Sequence, residues 1–138
     1  MTTNPLATQI GGSHFQNMAI EPYEYIHQNN LGFLAGCIIE RLCRFDQPTG
    51  KGLDDLREIS RELDILIDQN QKGFIENRQK IHTCVGAFCD ANGLSDDKRV
   101  MIELVAYYRL NNGVADLYQA KDLCRDILER HHVQHPFK

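Results

Sequence analysis

Apolar residues recur along most of this chain at three- and four-residue steps, the period of a helix with one buried face. Leu34, Ile38, Leu42 and Phe45 form one such row and predict a helix over Leu31–Phe45. Leu53, Leu56, Ile59, Leu63, Leu66 and Ile67 form a second, over Gly52–Asn70. Arg57, Glu58, Arg61, Glu62 and Asp64 fall on the other side of that helix, which reads as its solvent face. Like charges follow one another there, Glu58 with Glu62 and Arg57 with Arg61, so little pairing within the helix is expected. Between the two helices, Gln47-Pro48-Thr49-Gly50 is a strong break.

Upstream, Pro22 sits where a helix can start, because its missing N–H falls among donors that would be unpaired anyway. A short helix over Tyr23–Gln28 follows, ended by Asn29-Asn30. Residues 1–20 contain Asn4-Pro5 and Gly11-Gly12 but no sustained period, and read as an irregular arm. Downstream, Phe74, Ile81, Val85 and Phe88 predict a helix over Phe74–Asn92 with Asn92-Gly93 as its stop. Ser95 can cap the next helix, with Asp96 and Asp97 in its first turn, and that helix runs to about Leu110. Asn111-Asn112-Gly113 breaks it. The last helix spans Val114 to about His131 and leaves HHVQHPFK as a tail. No alternating strand pattern competes. The expected architecture is all-α: an arm over 1–20, then one helical domain over 21–138 whose hairpins, 31–70 and 95–131, pack as a bundle.

The two hairpins echo each other. Under a shift of 61 residues the six apolar positions of helix 52–70 fall on Val114, Leu117, Ala120, Cys124, Ile127 and Leu128. Gly52 falls on Gly113 and Asp55 on Asp116, and with a shorter loop Arg44 falls on Arg109. An internal duplication accounts for this coincidence; so does the period that any two amphipathic helices share.

Composition changes the picture little. At 138 residues, 42% hydrophobic and 25% charged, the chain has the make-up of one soluble domain. A net charge of -4 argues against a nucleic-acid binder. No apolar run reaches the roughly 18 residues of a membrane span, and no basic and apolar leader opens the sequence, so a cytoplasmic protein is expected. Five cysteines, an odd number without zinc spacing, read as reduced and mostly buried thiols, Cys84 and Cys89 among the core. Gly32 and Gly36, four apart, would permit close approach of another backbone, and with the charged face of helix 52–70 they suit an interface, so a homo-oligomer is expected.

Candidate chemistry is sparse. The P-loop pattern is absent, since Phe45 stands where its first glycine belongs before Gly50-Lys51. Gly11, Gly12, Ser13 and His14 could offer backbone N–H groups to an anion, or form a plain turn. Arg44 at a helix end and Lys51 in the following loop make a phosphate clamp in outline, although helix-end charge and solvation explain them as well. Asp55, one turn on, could hold Mg²⁺ or simply stabilise its helix start. Arg109, with Tyr107, Tyr108 and Tyr118 near it, could add a surface that stacks a nucleobase, or those rings could be core. Glu21 and Glu24 fit formally the first carboxylate pair of helical nucleotide pyrophosphohydrolases, but no matching Glu-x-x-Asp pair follows. His131, His132 and His135 have helical metal spacing yet lie in the expected tail, so no metal site is assigned.

One resemblance adds to these residues. GGSHFQ, IEPYEYI, NNLGF, the helix ending Arg44-Phe45, Lys51-Gly52 and Asp55-Leu56 follow one another across about residues 11–67. That series resembles a family of small phage proteins sharing a helical domain, most of them without an assigned function. One characterised coliphage member phosphorylates deoxynucleoside monophosphates without a Walker motif. The resemblance implies a site drawn from His14, Arg44, Lys51 and Asp55, Mg²⁺ if the activity is a kinase's, and residence in the host cytoplasm. The sequence departs from the family pattern at Cys37, Glu40, Arg41 and Glu62, where the family carries Asn, Lys, Tyr and Tyr. Losing a lysine to Glu40 reverses a charge near such a site. The leading expectation is a phage deoxynucleotide-handling protein that binds, and in the kinase case phosphorylates, a deoxynucleoside monophosphate. The alternative is a non-catalytic oligomeric helical module that binds a nucleotide signal or a host protein.

Overall fold

A computed structural model describes residues 18–75 and 82–134. Six helices follow in order: α1 Pro22–Gln28, α2 Phe33–Arg44, α3 Leu53–Gln71, α4 Val85–Asn92, α5 Asp96–Tyr107 and α6 Val114–Gln134. The described residues contain no strand. The protein is an all-α helical bundle.

The aliphatic rows explain the packing. Ile38, Ile39 and Leu42 of α2, Leu56, Ile59 and Leu63 of α3, Met101 and Ile102 of α5, and Leu117 of α6 are all fully buried. They close a four-helix ring in which α2 touches α3, α3 touches α6, α6 touches α5, and α5 touches α2. Burying side chains of this size contributes about 1.5–3 kcal/mol each. Short loops make α2–α3 and α5–α6 antiparallel hairpins, so one end of the ring gathers the 45–52 loop, the start of α5 and the end of α6. The 108–113 loop lies at the other end.

The small helices are pinned from outside the ring. α1 packs on α2 and α4 on α5, and the Tyr25 and Phe88 rings stack with centroids 4.3 Å apart. Asn29, itself buried, accepts the His82 and Thr83 N–H groups through Oδ1 at 2.8 and 2.9 Å. Asn92 grips Ile20 from both sides: it accepts the Ile20 N–H at 3.0 Å and donates to its carbonyl at 2.7 Å.

Several expectations need correction. The helix predicted over Phe74–Asn92 begins only at Val85, while Phe74 is 68% exposed and Ile81 lies outside the described residues. Cys84 marks the true start by accepting the Ala87 N–H through Sγ; cysteine is not among the usual cap residues, so the sequence carried no start signal there. Cys84 is accordingly exposed rather than core. Ser95 stands at the α5 cap position but makes no side-chain capping bond. α6 continues to Gln134, past the expected end; His135 lies outside the described residues. Gly36 receives a side chain and not a backbone: a Cβ there would sit 3.0 Å from Ile26 Cγ2 of α1, so the chain's own α1 covers it. On α3, Arg57 pairs with Asp54 and Arg61 with Glu58 three residues back, so within-helix pairing does occur, at 3.5 and 3.6 Å. Glu62 is not on the solvent face; it is 5% exposed.

Candidate functional site

The burial of Glu62 follows from a stripe that mixes acids with aliphatics. Asp55, Ile59, Glu62 and Leu66 recur at four, three and four residues, so they share the α3 face that meets α2. On α2, Cys37, Arg41 and Arg44 recur at four and three and meet them. The resulting ion cluster is closed. Arg44 Nη2 lies 2.9 Å from Asp55 Oδ1, and its Nε lies 3.2 Å from both Asp55 oxygens. Arg41 reaches Asp55 Oδ1 through Nη1 at 3.2 Å and Glu62 Oε1 through Nε at 2.9 Å. Glu40 accepts from Arg44 Nη1 at 3.2 Å.

This cluster consumes two of the residues read as chemistry. Asp55 is fully buried, and its Oδ2 also accepts the Lys51 N–H at 2.9 Å. Burial alone would raise its carboxyl pKa. The Arg44 fork, the Lys51 amide and Arg41 outweigh burial and hold it below the usual range. Burial would likewise lower the Arg44 pKa, but Asp55 and Glu40 raise it. For Glu62 the balance reverses: burial raises its pKa and Arg41 does not fully compensate. Asp55 therefore does not fit a Mg²⁺ ligand, because its oxygens are already filled by N–H donors. Arg44 holds that buried carboxylate rather than an open phosphate seat.

All four positions that depart from the pattern of the resembled family belong to this cluster by contact. Arg41 binds Glu62, and Cys37 hydrogen-bonds Glu62, its thiol pKa raised by burial and by that carboxylate. The fourth, Glu40, takes Arg44 and also accepts from the Tyr23 hydroxyl at 3.5 Å.

Lys51 stands apart. Its backbone turns inward to Asp55, while its side chain is exposed and makes no ion pair or hydrogen bond among the described residues. It lines a hollow of about 510 Å³ between the 45–52 loop and α6, together with Phe45, Asp46, Gln47, Pro48, Gly50, Gly52 and His131. The loop that forms the wall is tightly wound. Gln47 N–H donates to the Arg44 carbonyl at 2.9 Å, Gly50 N–H to Gln47 at 2.9 Å, and Gly52 N–H to Phe45 at 3.1 Å. Gly52 has φ 56 and ψ -125, a conformation that side-chain-bearing residues avoid. Phe45 meets the His131 ring edge-on at 5.5 Å and the Lys98 ammonium at 5.1 Å, and Lys98 Nζ is bound by Asp46 at 2.7 Å. A second hollow of about 300 Å³ shares Phe45, Asp46 and His131 with the first.

The remaining sequence candidates lie elsewhere. Arg109 is at the far end of α5 and of the ring, about 18 Å of helix away, so the structure does not bring it to Lys51. Its Nη1 is buried without a hydrogen-bond partner among the described residues. Tyr108 is buried and its hydroxyl accepts from Asn70 at 3.2 Å, while the Tyr107 hydroxyl accepts the Val85 N–H at 2.9 Å; these rings are structural and not a stacking platform. Tyr118 is half exposed and accepts from Gln71. Glu21 and Glu24 form the capping box of α1. No three His, Cys, Asp or Glu residues converge as metal ligands among the described residues. No described helix is long and apolar enough to cross a membrane. Gly11, Gly12, Ser13 and His14 lie outside the described residues. His131, expected in the tail, lines the hollow, a placement set by the meeting of α6 with the 45–52 loop.

Comparison of the chain with models of known protein families, with curated proteins and with solved structures finds no match.

Proposed function

We propose that the protein binds a phosphorylated small molecule of nucleoside monophosphate size in the hollow between the 45–52 loop and α6, as a binder and not as a kinase. The observation that carries this reading is Lys51, exposed and without a side-chain partner among the described residues, in the lining of that hollow together with His131. A volume of about 510 Å³ lies within the range of small-molecule sites. A lysine without a carboxylate partner keeps its full charge for an incoming phosphate. The buried Phe45 ring gives the floor an apolar element. The choice of a nucleotide over other phosphates rests on the resemblance of residues 11–67.

Phosphoryl transfer meets a physical obstacle. It requires free cations around the transferred group and a carboxylate for Mg²⁺. Arg44 and Asp55 neutralise each other, and Asp55 is inaccessible.

The test is equilibrium dialysis of each deoxynucleoside monophosphate against the protein, with a parallel incubation in ATP and Mg²⁺ read by chromatography. Binding of at least one monophosphate without diphosphate formation is expected. Diphosphate that disappears in Lys51→Ala would overturn the binder reading in favour of a kinase. Binding of no monophosphate by folded protein would sink the proposal and turn attention to a protein partner.

A further inference from the structure

We propose that Asp55 is the positioning residue of the hollow: its carboxylate holds the Lys51 backbone so that the lysine side chain is delivered to the phosphate. The identity of the ligand rests on the reading above; the positioning role rests on the geometry of two loops.

Asp55 Oδ2 accepts the Lys51 N–H at 2.9 Å from a fully buried position. With that N–H turned inward, Lys51 is exposed and lines the hollow. The loop has no slack on its other flank. A Cβ at Gly50 would lie 1.8 Å from the Arg44 carbonyl oxygen, so only glycine passes there.

The second hairpin supplies the comparison. Asp116, 4% exposed, accepts the N–H of Asn112 at 3.2 Å, again four residues back. A glycine at positive φ precedes each helix, Gly52 at 56° and Gly113 at 63°. Asp116 has no arginine partner among the described residues; Asn112 fills its other oxygen through Nδ2 at 3.2 Å. The carboxylate-to-loop bond is therefore common to both hairpins and does not depend on the arginines that only the first one adds. What differs is the side chain delivered. Position 112 presents a neutral amide folded back on its own aspartate, and position 51 presents a free cation.

The test combines amide hydrogen exchange at Lys51 with titration of inorganic phosphate and a deoxynucleoside monophosphate into the full chain. Asp55→Ala is expected to speed Lys51 exchange at least tenfold and to weaken binding by roughly tenfold or more, the equivalent of one hydrogen bond to a charged group. Asp116→Ala is expected to speed exchange at Asn112 and leave binding unchanged. Unchanged Lys51 exchange and affinity in Asp55→Ala would overturn the proposal. If Asp55→Ala does not fold, Gly50→Ala decides, since it reshapes the loop through the Arg44 carbonyl and removes no charged side chain of the ion cluster: lost affinity and a faster Lys51 amide support the role, and wild-type values for both overturn it. Wild-type protein that binds no phosphate would refute the binding function alone, and the Lys51 exchange rates would still decide the positioning role.

Discussion

Arg41 Nε and Glu62 Oε1 lie 2.9 Å apart and join α2 to α3 within a stripe that sets Asp55 and Glu62 among aliphatic side chains. Arg41 also reaches Asp55, so one guanidinium serves two buried carboxylates. That sharing makes the pair unequal. Arg41→Ala leaves Glu62 buried without its cation and should cost about 2–4 kcal/mol. Glu62→Ala leaves Arg41 with Asp55 and should cost only about 1–2 kcal/mol. Urea denaturation of the two variants at neutral pH checks the order, and a larger loss from Glu62→Ala would contradict it.

The same two acids pull the pH dependence in opposite directions. Asp55 has its pKa held below the ordinary 3.8, so its contribution is complete above that value and is lost as pH falls through the folded pKa. Glu62 has its pKa raised above the ordinary 4.5, so its contribution is present below that value and is lost as pH rises through the folded pKa. Stability should therefore peak in weak acid. Glu62→Gln should flatten the decline on the alkaline side of the peak, as read by denaturation midpoints from pH 4 to 8. A steeper decline in that variant would reverse the assigned sign.

Gly52 is a backbone requirement of the 45–52 loop. At φ 56 and ψ -125 a Cβ is strained, so Gly52→Ala should cost about 1–3 kcal/mol. Thermal unfolding measures this, and an unchanged midpoint would mean that the loop adopts another conformation.

Asn29 holds the segment that leads into α4. Asn29→Ala strands the His82 and Thr83 amides and should cost about 2–4 kcal/mol, with faster exchange confined first to those two amides.

The thiols should separate by accessibility. Cys84 is exposed, while burial pushes Cys43 up to about 12 and Cys124 up to about 11. A thiol reagent at pH 8 should label Cys84 first and Cys43 and Cys124 only on unfolding, as peptide mapping would show.

Much of the fold was legible because long aliphatic rows carry it. All six apolar positions of the second hairpin helix, Leu53 through Ile67, are buried. The period misleads in the stretch before α4: Phe74, Ile81, Val85 and Phe88 keep helical spacing, yet α4 begins at Val85 under an unusual cysteine cap. The site was less legible. Charge on a helix reads as a mark of solvent, but the spacing of Glu62 from Asp55, Ile59 and Leu66 puts it on the buried stripe. Its partner Arg41 sits on another helix, and no single-helix pattern reveals such a pair. Arg44, Lys51 and Asp55 lie together through a carboxylate that locks the arginine and holds the lysine backbone. Arg109 lies away from Lys51 for a topological reason, because the loops of the two hairpins fall at opposite ends of the ring.

The most direct test of the binding account is a backbone amide chemical-shift map of the full chain titrated with a deoxynucleoside monophosphate. The account predicts saturable shifts at Gly50, Lys51, Gly52 and His131, none at Asn111 and Asn112, and loss of the response in Lys51→Ala. Shifts centred on the 108–113 loop, or a full response in Lys51→Ala, would contradict it.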